Sequence, residues 1–137
     1  MHATLKGLFV GSAALFLAGC MEPPYTNVDS TGLEQLIDEG VTLIDIRTPD
    51  EWRETGVVAG SERLTFVDAN GRVQPGFLER LTGDVAKDEP IALICRTGNR
   101  TDALARHMVE NLGYSRVYNV RDGITGWIGE GRPVDRG

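Results

Sequence analysis

The chain is poor in the side chains that most often carry metal and acid–base chemistry. Its 137 residues include two cysteines and two histidines. Cys20 and His2 lie near the N-terminus, which leaves Cys95 and His107 for the body of the chain. One thiol and one imidazole do not make a four-ligand zinc site. A Ser-His-Asp arrangement would have to rest on His107, which falls in a helical pattern as a plain helix residue. Neither common glycine-rich nucleotide loop occurs, and repeats and low-complexity runs are absent. The apolar stretch from Leu8 to Gly19 is about twelve residues, well short of the roughly 20 that cross a bilayer as a helix. Positive charge is short too: the net charge is −6, which argues against nucleic acid and against direct adhesion to anionic lipid.

What the chain does have is a cysteine at a change of period. Ile91 to Ile94 is a short, continuous apolar run, the mark of a strand covered on both faces. From Thr101, Leu104, Met108 and Leu112 recur every fourth residue, and Gly113 stands where a helix would stop. Cys95 therefore opens a turn, Cys95-Arg96-Thr97-Gly98-Asn99, between strand and helix. In such a turn successive N–H groups can form an anion nest, and the helix N-terminus adds partial positive charge. Arg96 and Arg100 add two full charges, and this setting favours the thiolate, the nucleophilic form. The plain alternative is a small hydrophobe at the end of a core strand. A core position, however, would avoid two arginines and a glycine within five residues.

Cys95-Arg96-Thr97-Gly98-Asn99-Arg100-Thr101 resembles the active-site loop of the rhodanese, or sulfurtransferase, family: Cys-Arg-x-Gly-x-Arg and a small hydroxyl residue. The resemblance runs over roughly residues 29 to 136. It takes in Leu43-Ile44-Asp45-Ile46-Arg47 with Glu51 and Trp52, and Val117-Tyr118-Asn119-Val120 followed by Gly126-Trp127. Two departures stand outside the loop. Gly56-Val57-Val58-Ala59-Gly60-Ser61 replaces the family's Gly-His-Ile-Pro-Gly-Ala, and Asp122-Gly123 stands where relatives often carry two glycines. The resemblance implies Cys95 as nucleophile and Arg96 to Thr101 as the substrate-binding nest. It also implies that Asp45 and Arg47 support the loop, a surface salt bridge being the plain reading of that pair. The expected reaction moves sulfane sulfur from thiosulfate or a similar donor, through a Cys95 persulfide, to cyanide or a thiol acceptor, with no cofactor and no metal. A noncatalytic binding or sensing module is the alternative of another class. Cysteine-dependent phosphatases and arsenate reductases are the nearest rival chemistry. The phosphatases place five residues between Cys and Arg where this chain has four, and the tighter nest suits a sulfur atom or a small sulfur oxyanion.

The N-terminal end sets an expected compartment. One cation before Leu8, an apolar run, and Leu17-Ala18-Gly19-Cys20 in the form of a lipobox read as a bacterial lipoprotein signal peptide over residues 1–19. On that reading Cys20 is lipidated, residues 20–28 are a tether, and residues 29–137 are one domain anchored to the membrane through lipid and facing the periplasm. Several acyl chains make such anchoring durable, since one alone binds marginally. Met21 follows the cysteine in place of the aspartate that marks inner-membrane retention, which points to the outer membrane. Cys95 would be the one free thiol, no internal disulfide could form, and a persulfide would need an outside acceptor.

Element signals alternate. Thr31 and Glu34 are placed for a capping box before Leu33, Leu36 and Ile37, with Gly40 as the stop. Val41 to Ile46 reads as a buried strand, and Thr48-Pro49-Asp50-Glu51 opens a helix. Short β segments are expected at Val57-Val58 and near Leu64, and a helix around Phe77, Leu78 and Leu81. Strand and helix in turn predict a single α/β domain, a central parallel sheet with helices on both faces. Cys95 then lies at the carboxyl end of a strand, where such sheets bind ligands.

Overall fold

The computed structural model describes residues 22–137; the expected signal peptide and Cys20 lie outside the described residues. In chain order the elements are β1 (Thr26–Val28), α1 (Ser30–Asp38), β2 (Thr42–Asp45), α2 (Pro49–Thr55), β3 (Glu62–Arg63), α3 (Phe77–Asp84), β4 (Ile91–Ile94), α4 (Asn99–Glu110), β5 (Val117–Val120) and α5 (Gly123–Gly129). The five strands form one parallel sheet in the order β1-β5-β4-β2-β3. Parallel pairing demands crossovers, and the helices supply them.

Both faces of the sheet are covered, which is why the central strands are apolar without a break. Ile44, Ile91 and Leu93 face one cluster with Phe77 and Leu81 of α3 and Leu104 and Met108 of α4. Leu43, Ala92 and Ile94 face the other, with Leu33 and Leu36 of α1 and Ile124 and Trp127 of α5. The period of two is thus present but hidden, because both faces are apolar. Burying both faces fixes β4 at the centre of the sheet, so the Cys95 backbone leaves it from a rigid base.

Three expectations about local structure change. β1 lies inside the stretch expected as tether: Thr26, Asn27 and Val28 pair with Tyr118, Asn119 and Val120 of β5, and Tyr25 is buried against α4. As a three-residue edge strand with one neighbour, β1 needs no apolar run to announce it. The α1 cap is Asp29, whose carboxylate accepts from the Gly32 N–H at 2.8 Å. Thr31 and Glu34 turn instead to Arg132, which donates to the Thr31 hydroxyl at 3.0 Å and pairs with the Glu34 carboxylate. Val57 forms an isolated antiparallel bridge with Asp135 rather than a strand of the sheet. The box at Thr48 does form, with Glu51 reaching back to the Thr48 N–H.

Candidate functional site

The turn after β4 is shaped by glycine. Gly98 sits at φ +92° and caps α4, so the helix starts at Asn99, two residues before the apolar repeat shows it. A Cβ on Gly98 would lie 2.1 Å from the Arg121 carbonyl oxygen, and one on Gly123 would lie 2.4 Å from that of Arg96. Backbone packs on backbone at both positions, which only glycine allows. The first N–H groups of α5 complete the frame: Ile124 donates to the Cys95 carbonyl at 2.9 Å and Thr125 to that of Arg96 at 3.1 Å. The Asp122-Gly123 departure therefore keeps the one glycine that the loop requires.

Inside this frame the Cys95 sulfur meets neutral polar groups. The Gly98 N–H points at Sγ from 3.2 Å, and the Thr101 hydroxyl lies 3.3 Å away. Cys95 itself is 1% exposed. Thr101 is buried too, and its hydroxyl donates to Asn119 Oδ1 at 2.5 Å. The Asn119 amide donates in turn to the Gly98 carbonyl at 3.3 Å and to Asn27 Oδ1 at 3.2 Å. From β5, Asn119 thus grips both residues that touch the sulfur. Sequence reasoning assigned Asn119 no role. A polar residue in an otherwise apolar strand was the signal available.

Charge is arranged one layer out. Arg100 lays its guanidinium on Glu51, with two contacts of 2.7 Å. That pairing holds the Glu51 carboxyl below the ordinary carboxylate range, against the opposing pull of burial, and raises Arg100. Arg100 was expected to face the donor beside Arg96; its fork is taken up by α2 instead. Arg96, Thr97 and Asn99 are exposed, and Arg96 has no ion pair among the described residues.

Asp45 and Arg47 form a buried pair, 0% and 1% exposed, rather than a surface bridge. Asp45 accepts from Arg47 Nε and Nη2 and from the Trp52 indole N–H at 3.0 Å. Arg47 spends its other donors on α2, reaching the Thr55 hydroxyl at 2.8 Å and the Gly56 carbonyl at 2.9 Å. The support it gives the loop is therefore indirect: Arg47 fixes α2, α2 presents Glu51, and Glu51 holds Arg100. Beside the loop lies a cavity of about 300 Å³, walled by Arg96, Glu54, Thr55, Ile124 and Ile128 among others. Among the described residues no cluster of His, Cys, Asp and Glu is placed to hold a metal ion.

Known proteins are similar to this chain in sequence and fold. The model of the rhodanese-like domain matches residues 30–130. A sulfurtransferase of Allochromatium vinosum is 29% identical over 109 residues, 78% of this chain and 92% of that one. Among solved structures, Rv0390 of M. tuberculosis superposes with a TM-score of 0.66 at 27% identity, covering 82% of this chain and 99% of that chain. A rhodanese-related protein of Thermoplasma volcanium does so with a TM-score of 0.62 at 29% identity, covering 82% and 100%. A parallel sheet that ends in a glycine-shaped cysteine loop, and a family match across that whole unit, agree: the chain belongs to the rhodanese-like family.

Proposed function

We propose that the protein is a sulfurtransferase in which Cys95 carries the sulfur. The observation behind this reading is the Gly98 N–H aimed at a buried Sγ from 3.2 Å, with the Thr101 hydroxyl oxygen beside it at 3.3 Å. Donors fixed around a sulfur stabilise negative charge on it without the cost of reorganising solvent. Cys95 thiolate attacks the outer sulfur of thiosulfate or a similar donor. The new S–S bond forms as the donor's own S–S bond breaks, and sulfite leaves with the electron pair. A thiol or cyanide then takes the outer sulfur and returns the pair to Sγ, in ping-pong order. Exposed Arg96 draws the anionic donor, while Arg100, neutralised by Glu51, holds the first turn of α4 in place. The proposed setting is the periplasmic face of the cell envelope, with Cys20 lipidated in the outer membrane; Leu17-Ala18-Gly19-Cys20 supports it.

Intact mass of the full chain in detergent tests the chemistry. Thiosulfate should add one sulfur to the wild type, cyanide should remove it, and Cys95→Ser should gain none. No gain on a folded protein whose thiol still alkylates would overturn the reading for thiosulfate and favour a binding or sensing module.

A further inference from the structure

The cavity beside the loop is larger than sulfur transfer from thiosulfate to cyanide calls for. Its volume of about 300 Å³ is at the scale at which proteins hold small organic molecules, roughly 300–1,000 Å³. Its wall starts at Arg96, one residue from the reactive cysteine, and includes Ile124, whose N–H holds the Cys95 carbonyl. Four charged residues line it, and two are already spent: Arg47 on Asp45 and Glu51 on Arg100. Arg96, on the loop, and Glu54, on α2, have no ion pair among the described residues. Glu54 lies in the last turn of its helix, Pro49–Thr55, where a carboxylate opposes the helix dipole. Glu54 is exposed, so its carboxylate is open to a partner entering from solvent. Between the two charges the α5 wall is apolar, formed by Ile124 and by Ile128, which is 41% exposed.

A cation on one element, an anion on another and an apolar wall describe the complement of a zwitterion. We infer that this cavity is the acceptor subsite and that the acceptor is a low-mass thiol bearing both a carboxylate, met by Arg96, and an ammonium, met by Glu54. The inference rests on the sulfurtransferase reading. In ping-pong order one site serves two substrates in turn: once sulfite has left, Arg96 is vacant for the acceptor's carboxylate. The acceptor thiolate attacks the outer sulfur of the Cys95 persulfide. A bond forms between the acceptor sulfur and that atom, the Cys95 S–S bond breaks, and its electron pair stays on Sγ. The acceptor leaves as a persulfide and its thiol proton passes to solvent, with no net change of oxidation state.

The test uses the full chain in detergent, loaded with thiosulfate and freed of excess donor, so that discharge is read without the donor step. Four acceptors separate the charges: cysteine has both, 3-mercaptopropionate the carboxylate alone, cysteamine the ammonium alone, and 2-mercaptoethanol neither. Discharge rates are followed by mass at equal thiolate concentration in the wild type, Arg96→Gln and Glu54→Gln. Intrinsic thiol reactivity cancels when ratios are compared between variants. The cysteine to cysteamine ratio should fall about threefold or more in Arg96→Gln, and the cysteine to 3-mercaptopropionate ratio similarly in Glu54→Gln, as partly exposed charge contacts give. Ratios equal in all three proteins would overturn the zwitterion inference and leave sulfur transfer intact. Failure of the wild type to load sulfur at all would instead sink the reading beneath it.

Discussion

The Cys95 loop is held on two sides by unlike means. On the α2 side the supports are ionic: the Asp45–Arg47 pair inside the protein and the Glu51–Arg100 pair near its surface. On the β5 side they are neutral: Asn119 to Thr101, to Gly98 and to Asn27. The groups that touch the sulfur belong to the neutral side. A full counter-ion in contact would bind a thiolate tightly and blunt its attack. Fixed dipoles stabilise charge wherever it develops, on Sγ or on an outer sulfur, because they hold no net charge of their own. The cations one layer out, Arg47 and Arg100, are each held by a carboxylate and serve the frame rather than the sulfur. The two supports should therefore fail in different ways, the ionic one by loss of stability and of acid resistance, the neutral one by loss of rate.

Asp45→Ala should give the largest effect. The change leaves the Arg47 guanidinium and the Trp52 indole N–H buried without their acceptor. Breaking one partner of a buried pair costs about 3–5 kcal/mol. Urea unfolding should lower the midpoint accordingly at unchanged slope. A loss under about 1 kcal/mol would mean that water enters and solvates Arg47, and that the ionic side is less rigid than its geometry implies.

Asn119→Ala should come next, and mostly in rate. The Thr101 hydroxyl and the Gly98 carbonyl lose a buried partner, which costs about 1–3 kcal/mol of stability. Both residues that touch the sulfur, Gly98 and Thr101, then loosen together. A loss of about 1.4 kcal/mol in the transition state is tenfold in rate, and persulfide formation, followed by mass, should slow by about that factor. If Asn119→Ala slows it no more than Glu51→Gln does, the division of labour between the two sides is wrong.

How much of this was legible in the sequence depends on how far apart the partners are. β4, the turn and α4 are contiguous, so periodicity and glycine placed Cys95 at the end of a central strand. Thr48 and Glu51 are three residues apart, and their capping box was equally readable. Thr31 and Glu34 have the same spacing, yet Arg132, 101 residues from Thr31, takes both. A local motif cannot announce a distant competitor. The Glu51–Arg100 clamp spans 49 residues and the Thr101–Asn119 bond 18. Those contacts exist only because parallel strand order sets β2 and β5 on either side of β4. β1 was hidden for another reason: its three residues carry almost no apolar signal, and its place comes from pairing with β5.

The smallest and most diagnostic change is Glu51→Gln. Glutamine at the third helical position can still close the Thr48 capping box, so the substitution removes charge while keeping the cap. A two-contact pair that is 23–27% exposed should contribute about 1 kcal/mol. Its pH dependence has a definite sign. Pairing with Arg100 depresses the Glu51 carboxyl in the folded state. The stabilisation is therefore complete above the unfolded carboxyl value of 4.5 and disappears as pH falls through the lower folded value. The stability gap between wild type and variant, measured by urea unfolding, should be constant across neutral pH and close on acidification below that point. The corresponding gap for Asn119→Ala should not close in this window, since its partners do not titrate. If the Glu51→Gln gap stays open in acid, its support comes from shape and hydrogen bonding alone, and the contrast between an ionic and a neutral side of the loop loses its physical basis.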